Sequence, residues 1–451
     1  MKRTALPIAR LAALLALLLA GCVPTVYDEP YPVRPVELPA DDAAHASPVE
    51  WWYWVGHLDL DDGRELAFQL TFFEAYAPPQ LRIAGIPSHW FFEKGVVGHA
   101  AVLDLDAGTH AMAQRGFALW DGATSQEDLS VSVNDWQAVR ADDGVSHALR
   151  FPVGRHAFDL VLTPSKPASL HGDPPGIQSM GPGGVSYYVS HPRMQVRGEV
   201  RGPCALPAAC PPVGATGQAW FDHQWGDFRI DRFGGWDWFA LQFDDGEELM
   251  LYLIRGEDGA YLTMEGSFVT EAGRTIPLSA DEIEIQPSGA VWTSPDTGAV
   301  YPAGWRIVVP SHDVDVTVEP RVAAAEMDTR ATTGIVYWEG AVAVRGTRSG
   351  VGFVELTNYD RLPFRPEAAG CRWVAELGGQ PDDVSFDFVP FAVEDFSSSM
   401  SALRSLKPLR TSRADSPRPR AILGRRLDPK MSRTTSRMIR ISQPPSGPMR
   451  M

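Results

Sequence analysis

Short segments in which apolar and polar residues alternate recur along most of the chain. Clear examples are HAFDLVLTP at residues 156–164, RIVVP at 306–310 and VDVTVEP at 314–320. Alternation with a period of two is typical of β-strands that bury one face, and the Gly and Pro residues between segments mark turns. Closing such strands into a barrel leaves an interior that can hold one small ligand. The pattern therefore predicts an all-β protein made of β-barrels or sandwiches.

Two distant segments share one order of features. WYWVGHLDLDDGRELAFQLTFF begins at Trp52 and WDWFALQFDDGEELMLYLIR begins at Trp236; each has Trp-x-Trp, an apolar strand, Asp-Asp-Gly, Glu-Leu and a second apolar strand. Asp-Gly between apolar segments predicts a hairpin, because Gly supplies the positive φ of a tight turn. The distance from the second Trp to the Gly differs by one residue, which a β-bulge would absorb. We expect a tandem of two related β units, although such hairpins are common enough to arise independently.

The N-terminus has the organisation of an export signal. A basic start is followed by the apolar segment LAALLALLLA at residues 11–20, and LLAGC resembles a bacterial lipobox. Residues 1–22 are thus predicted to be a lipoprotein signal peptide, with Cys22 as the lipidated residue; secretion with an incidental Cys22 is the alternative. Residues 23–46 are predicted to form a Pro-rich tether. Val23 after the cysteine favours the periplasmic face of the outer membrane in a bacterial envelope.

Charge and cysteine content narrow the possible partners. The last 55 residues carry a net charge of +11, so the rest of the chain carries about −27 of the total of −16. An acidic body excludes nucleic acid as its expected partner. Residues 366–451 are predicted to be an atypical, disordered basic tail, with a basic binding arm or a frame-shifted end as alternatives. In an oxidising compartment we expect Cys204 and Cys210 to form a disulfide, which leaves Cys371 unpaired.

The densest group of polar and aromatic residues is GQAWFDHQWGDFRIDRFGGWDWF at residues 217–239. Asp222 and His223 are adjacent, and adjacent side chains of a strand point to opposite faces. They can share a cavity only if the strand twists or ends, as Gly226 suggests. A tryptophan cluster is more often core than active site, and the Asp-His pair could be a structural hydrogen bond. The residue types alone leave these alternatives open.

The chemistry that these residues suit needs no obvious nucleophile. The sequence has no Gly-x-Ser-x-Gly elbow, phosphate-binding glycine loop or dinucleotide fingerprint. An acid in an apolar pocket can donate a proton near neutral pH, and indole faces attract cations. Such a site could protonate a carbon–carbon double bond and let water complete the addition. We expect no cofactor. We also expect no metal, because His57, His89 and His99 match no standard ligand spacing.

A series of motifs, in order, resembles the AttH/CrtC-type lipocalin-like family. This family includes carotenoid 1,2-hydratase, kievitone hydratase and predicted secreted hydrolases. The resemblance covers roughly residues 47–360 and implies two calycin-like β domains, which we place at 47–200 and 201–365. The motifs are EWWYWVGHL with FQLTFF, LHGD with SYYVS, GQAWFDHQWGDF, GWDWFALQFDDGEELMLYLIR, WTSPDTGAVYPAGW and VYWEGAVAVRGTRSGVGFVELTNY.

The resemblance implies hydration of an isoprenoid or prenyl double bond, or guided cyclisation as in fungal relatives. We assign Asp222 as the catalytic acid and His223 as its partner or the group that orients water. Aromatic and acidic residues are expected to bind the substrate and stabilise a cation: Trp52, Trp54, Trp220, Trp225, Trp236, Trp238, Tyr337 and Glu339.

Two functions remain open at this point. The chain could be a membrane-anchored hydro-lyase that acts on an apolar small molecule such as an isoprenoid. It could instead be a non-catalytic carrier of an apolar ligand, or an accessory protein that works with a lipoprotein-exporting permease of the envelope. Loss of turnover with retained binding in Asp222→Asn separates enzyme from carrier.

Overall fold

The computed structural model of the chain describes residues 34–76, 82–83, 86–87, 94–116, 122–228, 234–362 and 364. The predicted signal peptide, Cys22, His89 and the predicted tail with Cys371 lie outside these residues. Within the described ranges, no helix is long and apolar enough to span a bilayer. The helices there are single 3-10 turns: Ala40–Asp42, Gly181–Gly183, Pro207–Ala209, Ala280–Glu282 and Pro310–His312.

The first half of the chain forms one curled antiparallel sheet. Its strands follow the order β6-β5-β2-β1-β15-β14-β11-β10-β9-β8-β7, with β12 and β13 paired to β14, while β3 and β4 pair only with each other. The strands are β1 Val49–Leu60, β2 Glu65–Tyr76, β3 Arg82–Ile83, β4 Ile86–Pro87, β5 Lys94–Asp104, β6 Thr109–Arg115, β7 Gly122–Thr124, β8 Ser130–Val133, β9 Trp136–Arg140, β10 His147–Val153, β11 His156–Pro164, β12 Ser169–Leu170, β13 Ile177–Ser179, β14 Val185–Arg201 and β15 Pro212–Gly226.

The second half forms a second curled antiparallel sheet. Its order is β19-β18-β17-β16-β27-β26-β24-β23-β20, with β25 paired to β26, while β21 and β22 form a separate hairpin. The strands are β16 Gly235–Phe243, β17 Glu248–Arg255, β18 Tyr261–Val269, β19 Thr275–Leu278, β20 Glu284–Pro287, β21 Val291–Thr293, β22 Val300–Pro302, β23 Trp305–Val309, β24 Val314–Pro320, β25 Glu326–Asp328, β26 Val336–Gly346 and β27 Gly350–Thr357. Two such half-barrels confirm the predicted all-β tandem of lipocalin-like domains.

The two Asp-Asp-Gly segments form equivalent hairpin turns. Gly63 connects β1 to β2 with φ at 88°, and Gly246 connects β16 to β17 with φ at 86°. Both hairpins keep a regular register without a bulge, so the predicted bulge is wrong. Trp54 and Trp238 therefore differ by one strand position in their distance from the glycine of the turn. A shift of one residue turns a side chain to the opposite face of the sheet. Trp54 packs inside the first sheet, whereas Trp238 points towards the other sheet.

The first sheet buries a core on one face, here called its inner face, whereas the core of the second sheet also includes residues of the first sheet. The inner face of the first sheet carries large, fully buried aromatic residues, among them Trp52, Trp54, Phe68, Phe151 and Phe158. Burying each such side chain stabilises the fold by roughly 1.5–3 kcal/mol. The alternate residues of β1, β2, β14 and β15 point towards the second sheet, and we call this side the contact face.

Residues near the two predicted domain boundaries belong to the first sheet. Strand β15 lies after residue 200, yet it pairs with β1 and β14. Residues 34–46, assigned to the tether, pack against the same sheet: Asp41 and Asp42 are buried, and Asp42 contacts Arg140 at 2.5 Å. The Pro-rich composition of this segment predicts an extended chain, but it gives no indication that Arg140 of β9 pairs with the buried carboxylate of Asp42.

Ionic contacts tie the two sheets together at β17. The carboxylate of Glu248 is fully buried and lies 2.8 Å from Lys166 Nζ and 2.6 Å from Arg193 Nε, both from the first half of the chain. Glu248→Gln would leave two largely buried cations without their counter-charge. We expect a loss of about 3 kcal/mol in the free energy of unfolding, measured by urea denaturation.

A matched control for this prediction is Glu284→Gln, because Glu284 is exposed on β20. We expect this variant to stay within about 0.5 kcal/mol of the wild type. Equal stability of the two variants would contradict the role given to Glu248.

Candidate active site

A largely apolar cavity of about 100 Å³ lies between the contact face of the first sheet and the second sheet. A more open groove of about 540 Å³ contains none of the predicted site residues, so we place the site in the smaller cavity, which encloses titratable carboxyl groups. Residues from both halves of the chain line it: Val49, Trp51, Tyr53, Thr71, Phe73, Met180, Tyr188, Asp222, Gln224, Trp236, Trp238, Tyr252, Thr333, Ile335, Tyr337 and Glu355.

Asp222 lies in the wall of this cavity and is held by three donors. Tyr188 Oη donates to its Oδ2 at 2.5 Å, while Trp220 Nε1 at 2.5 Å and Ser190 Oγ donate to its Oδ1. The sheet register explains this arrangement, because Ser190 lies opposite Asp222 across β14 and β15. The carboxyl group is therefore fixed in position before any ligand binds.

Burial and hydrogen bonding act on Asp222 in opposite directions. Removal from water raises its pKa to about 7, although the bonds from Ser190, Tyr188 and Trp220 favour the charged form. Behind Ser190, the Nε2 of His171 lies 2.6 Å from the Ser190 hydroxyl, and its Nδ1 lies 2.9 Å from Ser267 Oγ. Burial lowers the pKa of His171 to about 3, so a neutral imidazole orients the serine that donates to Asp222.

A second carboxyl group, Glu355 of β27, faces the same cavity. Burial raises its pKa to about 8, repulsion from Asp222 and Asp237 adds to this effect, and a hydrogen bond from Trp236 opposes it. Glu355 was not among the site residues predicted from the sequence. A signal was present in GVGFVELTNY, where one acid occupies a strand otherwise rich in apolar residues.

The cavity also has an acid directly behind its wall. Glu339 of β26 is fully buried and accepts a hydrogen bond from Tyr53 Oη at 2.7 Å. Burial and repulsion from Glu355 raise its pKa well above the usual value. Among the described residues that line the cavity there is no lysine, arginine or histidine. The acids and aromatic faces together favour positive charge in this space.

Several residues predicted to bind substrate lie at this cavity. Trp236, Trp238 and Tyr337 line it, and Trp238 Nε1 donates to Tyr188 Oη at 2.8 Å. Trp220 packs edge-on against Trp238, with ring centroids 6.2 Å apart, and holds Asp222. Four aromatic residues from β15, β16 and β26 thus belong to the site or support it.

The structure places His223 on the other side of its strand from Asp222. Its Nε2 lies 2.7 Å from Glu50 Oε1, and its ring stacks on Trp52 inside the first sheet. Strand β15 stays regular up to Gly226, so adjacent residues keep opposite faces. The prediction that His223 is the partner of Asp222 is therefore not supported by the geometry.

Three of the predicted substrate-binding tryptophans also lie away from the cavity. Trp52 and Trp54 occupy the inner face of the first sheet. Trp225 stacks between His45 and Tyr187, at centroid distances of 4.0 and 4.9 Å. The part of EWWYW that reaches the cavity consists of Trp51 and Tyr53, neither of which was predicted to bind substrate.

Two cysteines and two histidines singled out from the sequence make contacts that hold the fold together. Cys204 and Cys210 form the expected disulfide in the loop between β14 and β15. His57 Nε2 bonds the Gly352 carbonyl at 3.1 Å, and His99 lies 3.0 Å from Tyr337 Oη. These two histidines thus connect the sheets at separate points.

Comparisons with known proteins agree with this architecture. A model of the AttH-like family matches residues 29–359. An AttH protein from Nitrosomonas europaea of known structure is 32% identical, with 73% of this chain and 98% of that chain covered and a TM-score of 0.63. Kievitone hydratase from Nectria haematococca is 14% identical, with 74% and 96% covered and a TM-score of 0.57, and so shares the fold. A comparison with curated proteins found no match. The chain therefore belongs to the AttH-like family.

Proposed function

We propose that the cavity hydrates a carbon–carbon double bond at the end of an apolar, isoprenoid-type substrate. The observation that carries this proposal is the pair of carboxyl groups, Asp222 and Glu355, in one apolar cavity. Their pKa values are raised to about 7 and about 8. Near pH 7.5 the pair holds one proton, so the site contains both a proton donor and a proton acceptor.

The hydrogen bonds decide which carboxyl group keeps that proton. Three donors stabilise the anion of Asp222, whereas Glu355 receives one bond from Trp236. The proton therefore rests on Glu355, and Asp222 is ionised. This assignment differs from the sequence-based hypothesis, in which Asp222 was the donor.

The reaction then follows from these two states. Glu355 transfers its proton to one carbon of the double bond, and a C–H bond forms as the π bond is lost. The aromatic faces and the Asp222 carboxylate stabilise the carbocation on the other carbon. Water adds to that carbon and gives its proton to Asp222, and exchange of this proton back to Glu355 completes the cycle.

The dimensions of the cavity restrict the way in which a substrate binds. A volume of about 100 Å³ is smaller than the roughly 300–1,000 Å³ of pockets that enclose a whole drug-sized ligand. The cavity fits the reacting end of a chain, with the rest of the substrate outside it. A lipid anchor at Cys22 would hold the site close to a membrane, where such molecules partition.

Kievitone hydratase supports the class of reaction rather than the substrate. Its name states that it hydrates kievitone, and its likeness to this chain is one of fold. The two carboxyl groups in the cavity are the independent support that comes from this chain.

The molecules that co-purify with the protein test the proposal. The purified chain is extracted with organic solvent and the extract is analysed by mass spectrometry. We expect two apolar molecules whose masses differ by one water. A single lipid that wild-type protein leaves unchanged on incubation would favour a carrier and contradict the hydratase.

The rate of hydration should depend on pH as a bell-shaped curve. Below about pH 7 Asp222 becomes protonated and loses its function as the acceptor, and above about pH 8 Glu355 ionises and loses its function as the donor. We expect the maximum between these values, measured as kcat/KM from steady-state rates, because this ratio reports the pKa values of the free protein. A rate that rises steadily with acidity down to pH 5 would exclude the acceptor role.

A further inference from the structure

Residues 41–50 bring a second polar cluster to the inner face of the first sheet, separate from the cavity. We call it the His45 cluster; it consists of His45, Glu50 and His223. His45 Nδ1 lies 2.7 Å from Glu50 Oε1, and His223 Nε2 lies 2.7 Å from the same oxygen. The three potential ligand atoms are all within 4.8 Å of one another. Two imidazole nitrogens and one carboxylate oxygen thus converge on one point.

This cluster is enclosed by the protein. The side chains of His45, Glu50 and His223 are 9%, 1% and 0% exposed. Trp52 stacks on the ring of His223, and Trp225 stacks on the ring of His45. Aromatic rings on both sides fix the orientation of the imidazoles and keep solvent away.

The outer hydrogen bonds of His45 and Glu50 match those of metal-binding side chains. His45 Nε2 lies 3.3 Å from Asp41 Oδ1, and Asp41 is itself held by Arg34 at 2.8 Å. Glu50 Oε2 accepts the backbone N–H of His45 at 2.8 Å. A histidine that binds a metal through one nitrogen usually donates the other N–H to a carboxylate or carbonyl, which orients the ring and raises its basicity.

We propose that His45, Glu50 and His223 bind a divalent transition-metal cation, and that their donor set suits zinc. Two histidines and one glutamate are a known zinc ligand set, and the same set also binds ferrous iron. The cation would replace the protons that lie between Glu50 and the two histidine nitrogens. It would connect residues 41–45 to β1 and β15, because one ligand comes from each of these parts.

A neighbouring cluster shows why the identity of the hydrogen-bond partners matters. Asp42, His147 and His191 also place one oxygen and two nitrogens within 4.8 Å of one another. However, Trp54 Nε1 donates to His147 Nδ1 at 3.1 Å, so the lone pair of Nδ1 is occupied and the neutral ring carries its proton on Nε2. A protonated nitrogen has no lone pair for a metal. We therefore expect no metal ion at Asp42, His147 and His191.

Cobalt and zinc binding test the proposal on the purified full-length chain. The protein is treated with a chelator, dialysed against excess Zn²⁺ or Co²⁺, and analysed by elemental mass spectrometry and by cobalt absorption in the visible range. We expect one ion per chain, and cobalt bands that Zn²⁺ removes by competition. Zinc should also raise the Tm of the wild type.

Three variants locate the ion. His45→Ala should lose the bound ion and the zinc-dependent rise in Tm; His45 lies outside the strands, so its loss interrupts no sheet. Asp41→Asn should lower the affinity about 10- to 100-fold, because the carboxylate that orients His45 is lost. His191→Ala is the matched control and should bind zinc as the wild type does. Absence of binding in the wild type, or equal binding by His45→Ala, would overturn the proposal.

Discussion

Glu355→Gln should lower the turnover number for hydration by about 10²- to 10⁴-fold while leaving the affinity for the apolar ligand close to that of the wild type. The amide keeps the shape of the side chain but has no transferable proton. A loss of this size is the usual contribution of general acid catalysis. Asp222→Asn should cause a loss of the same order, because the cavity then lacks the acceptor. Turnover is measured by product formation, and affinity by titration with the ligand extracted from the wild type.

The pH profiles of these two variants separate their roles. Asp222→Asn should lose the decrease in rate below about pH 7, and Glu355→Gln should lose the decrease above about pH 8. Glu319→Gln is the matched control, because Glu319 is exposed and pairs with Arg345 on the surface. If Asp222→Asn instead lost the decrease at high pH and Glu355→Gln the decrease at low pH, Asp222 would be the proton donor. Full activity of both variants would show that neither carboxyl group takes part.

Arg255→Met should cause the largest loss of stability among the substitutions considered. Arg255 is almost completely buried; its Nε lies 3.1 Å from Asp237 Oδ1, and its guanidinium lies 4.0 Å from the Tyr359 ring centroid. The variant leaves the carboxylate of Asp237 buried without its cation, which costs roughly 3–5 kcal/mol. Urea denaturation measures the change.

Two further proteins complete the Arg255 experiment. Arg306→Met is the control, because Arg306 and Asp315 form an exposed pair at 2.7 Å, and such pairs contribute about 0–1 kcal/mol. The double variant with Asp237→Asn removes the buried charge and should regain part of the loss. A loss for Arg255→Met as small as that for Arg306→Met would contradict the account.

The architecture could be predicted from the sequence because it depends on local signals. Alternation of apolar and polar residues marks strands such as β11 and β24, and the glycines at 63 and 246 require the positive φ of their turns. The order of the motifs predicted the family, which the family match confirms. The pairing of Cys204 with Cys210 was predicted from the oxidising compartment that the export signal implies.

The composition of the site could not be predicted in the same way. Glu355 and Trp238 reach the cavity only because the second sheet packs on the contact face of the first, and this packing is not encoded in any local pattern. A difference of one residue between the two hairpins places Trp54 and Trp238 on non-equivalent faces. Residue type suggested tryptophans as cavity walls, but strand parity decides which of them reach it.

The acidic, aromatic segment EWWYW has two separate roles for the same reason. Trp51 and Tyr53 face the cavity between the sheets, whereas Glu50, Trp52 and Trp54 face the interior of the first sheet. Glu50 joins His45 and His223 there. One strand thus supplies both the proposed hydratase cavity and the proposed metal site.

Isotope labelling tests the proposed hydration by following the oxygen and the hydrogen that the reaction adds. An acyclic isoprenoid hydrocarbon in detergent is incubated with the purified chain in water labelled with heavy oxygen and, separately, in heavy water, and the products are analysed by mass spectrometry. We expect an alcohol that carries one labelled oxygen and, in heavy water, one new carbon–deuterium bond, with both products formed about 10²- to 10⁴-fold more slowly by Glu355→Gln. An alcohol with unlabelled oxygen, or the same rate with Glu355→Gln, would contradict the proposed hydration.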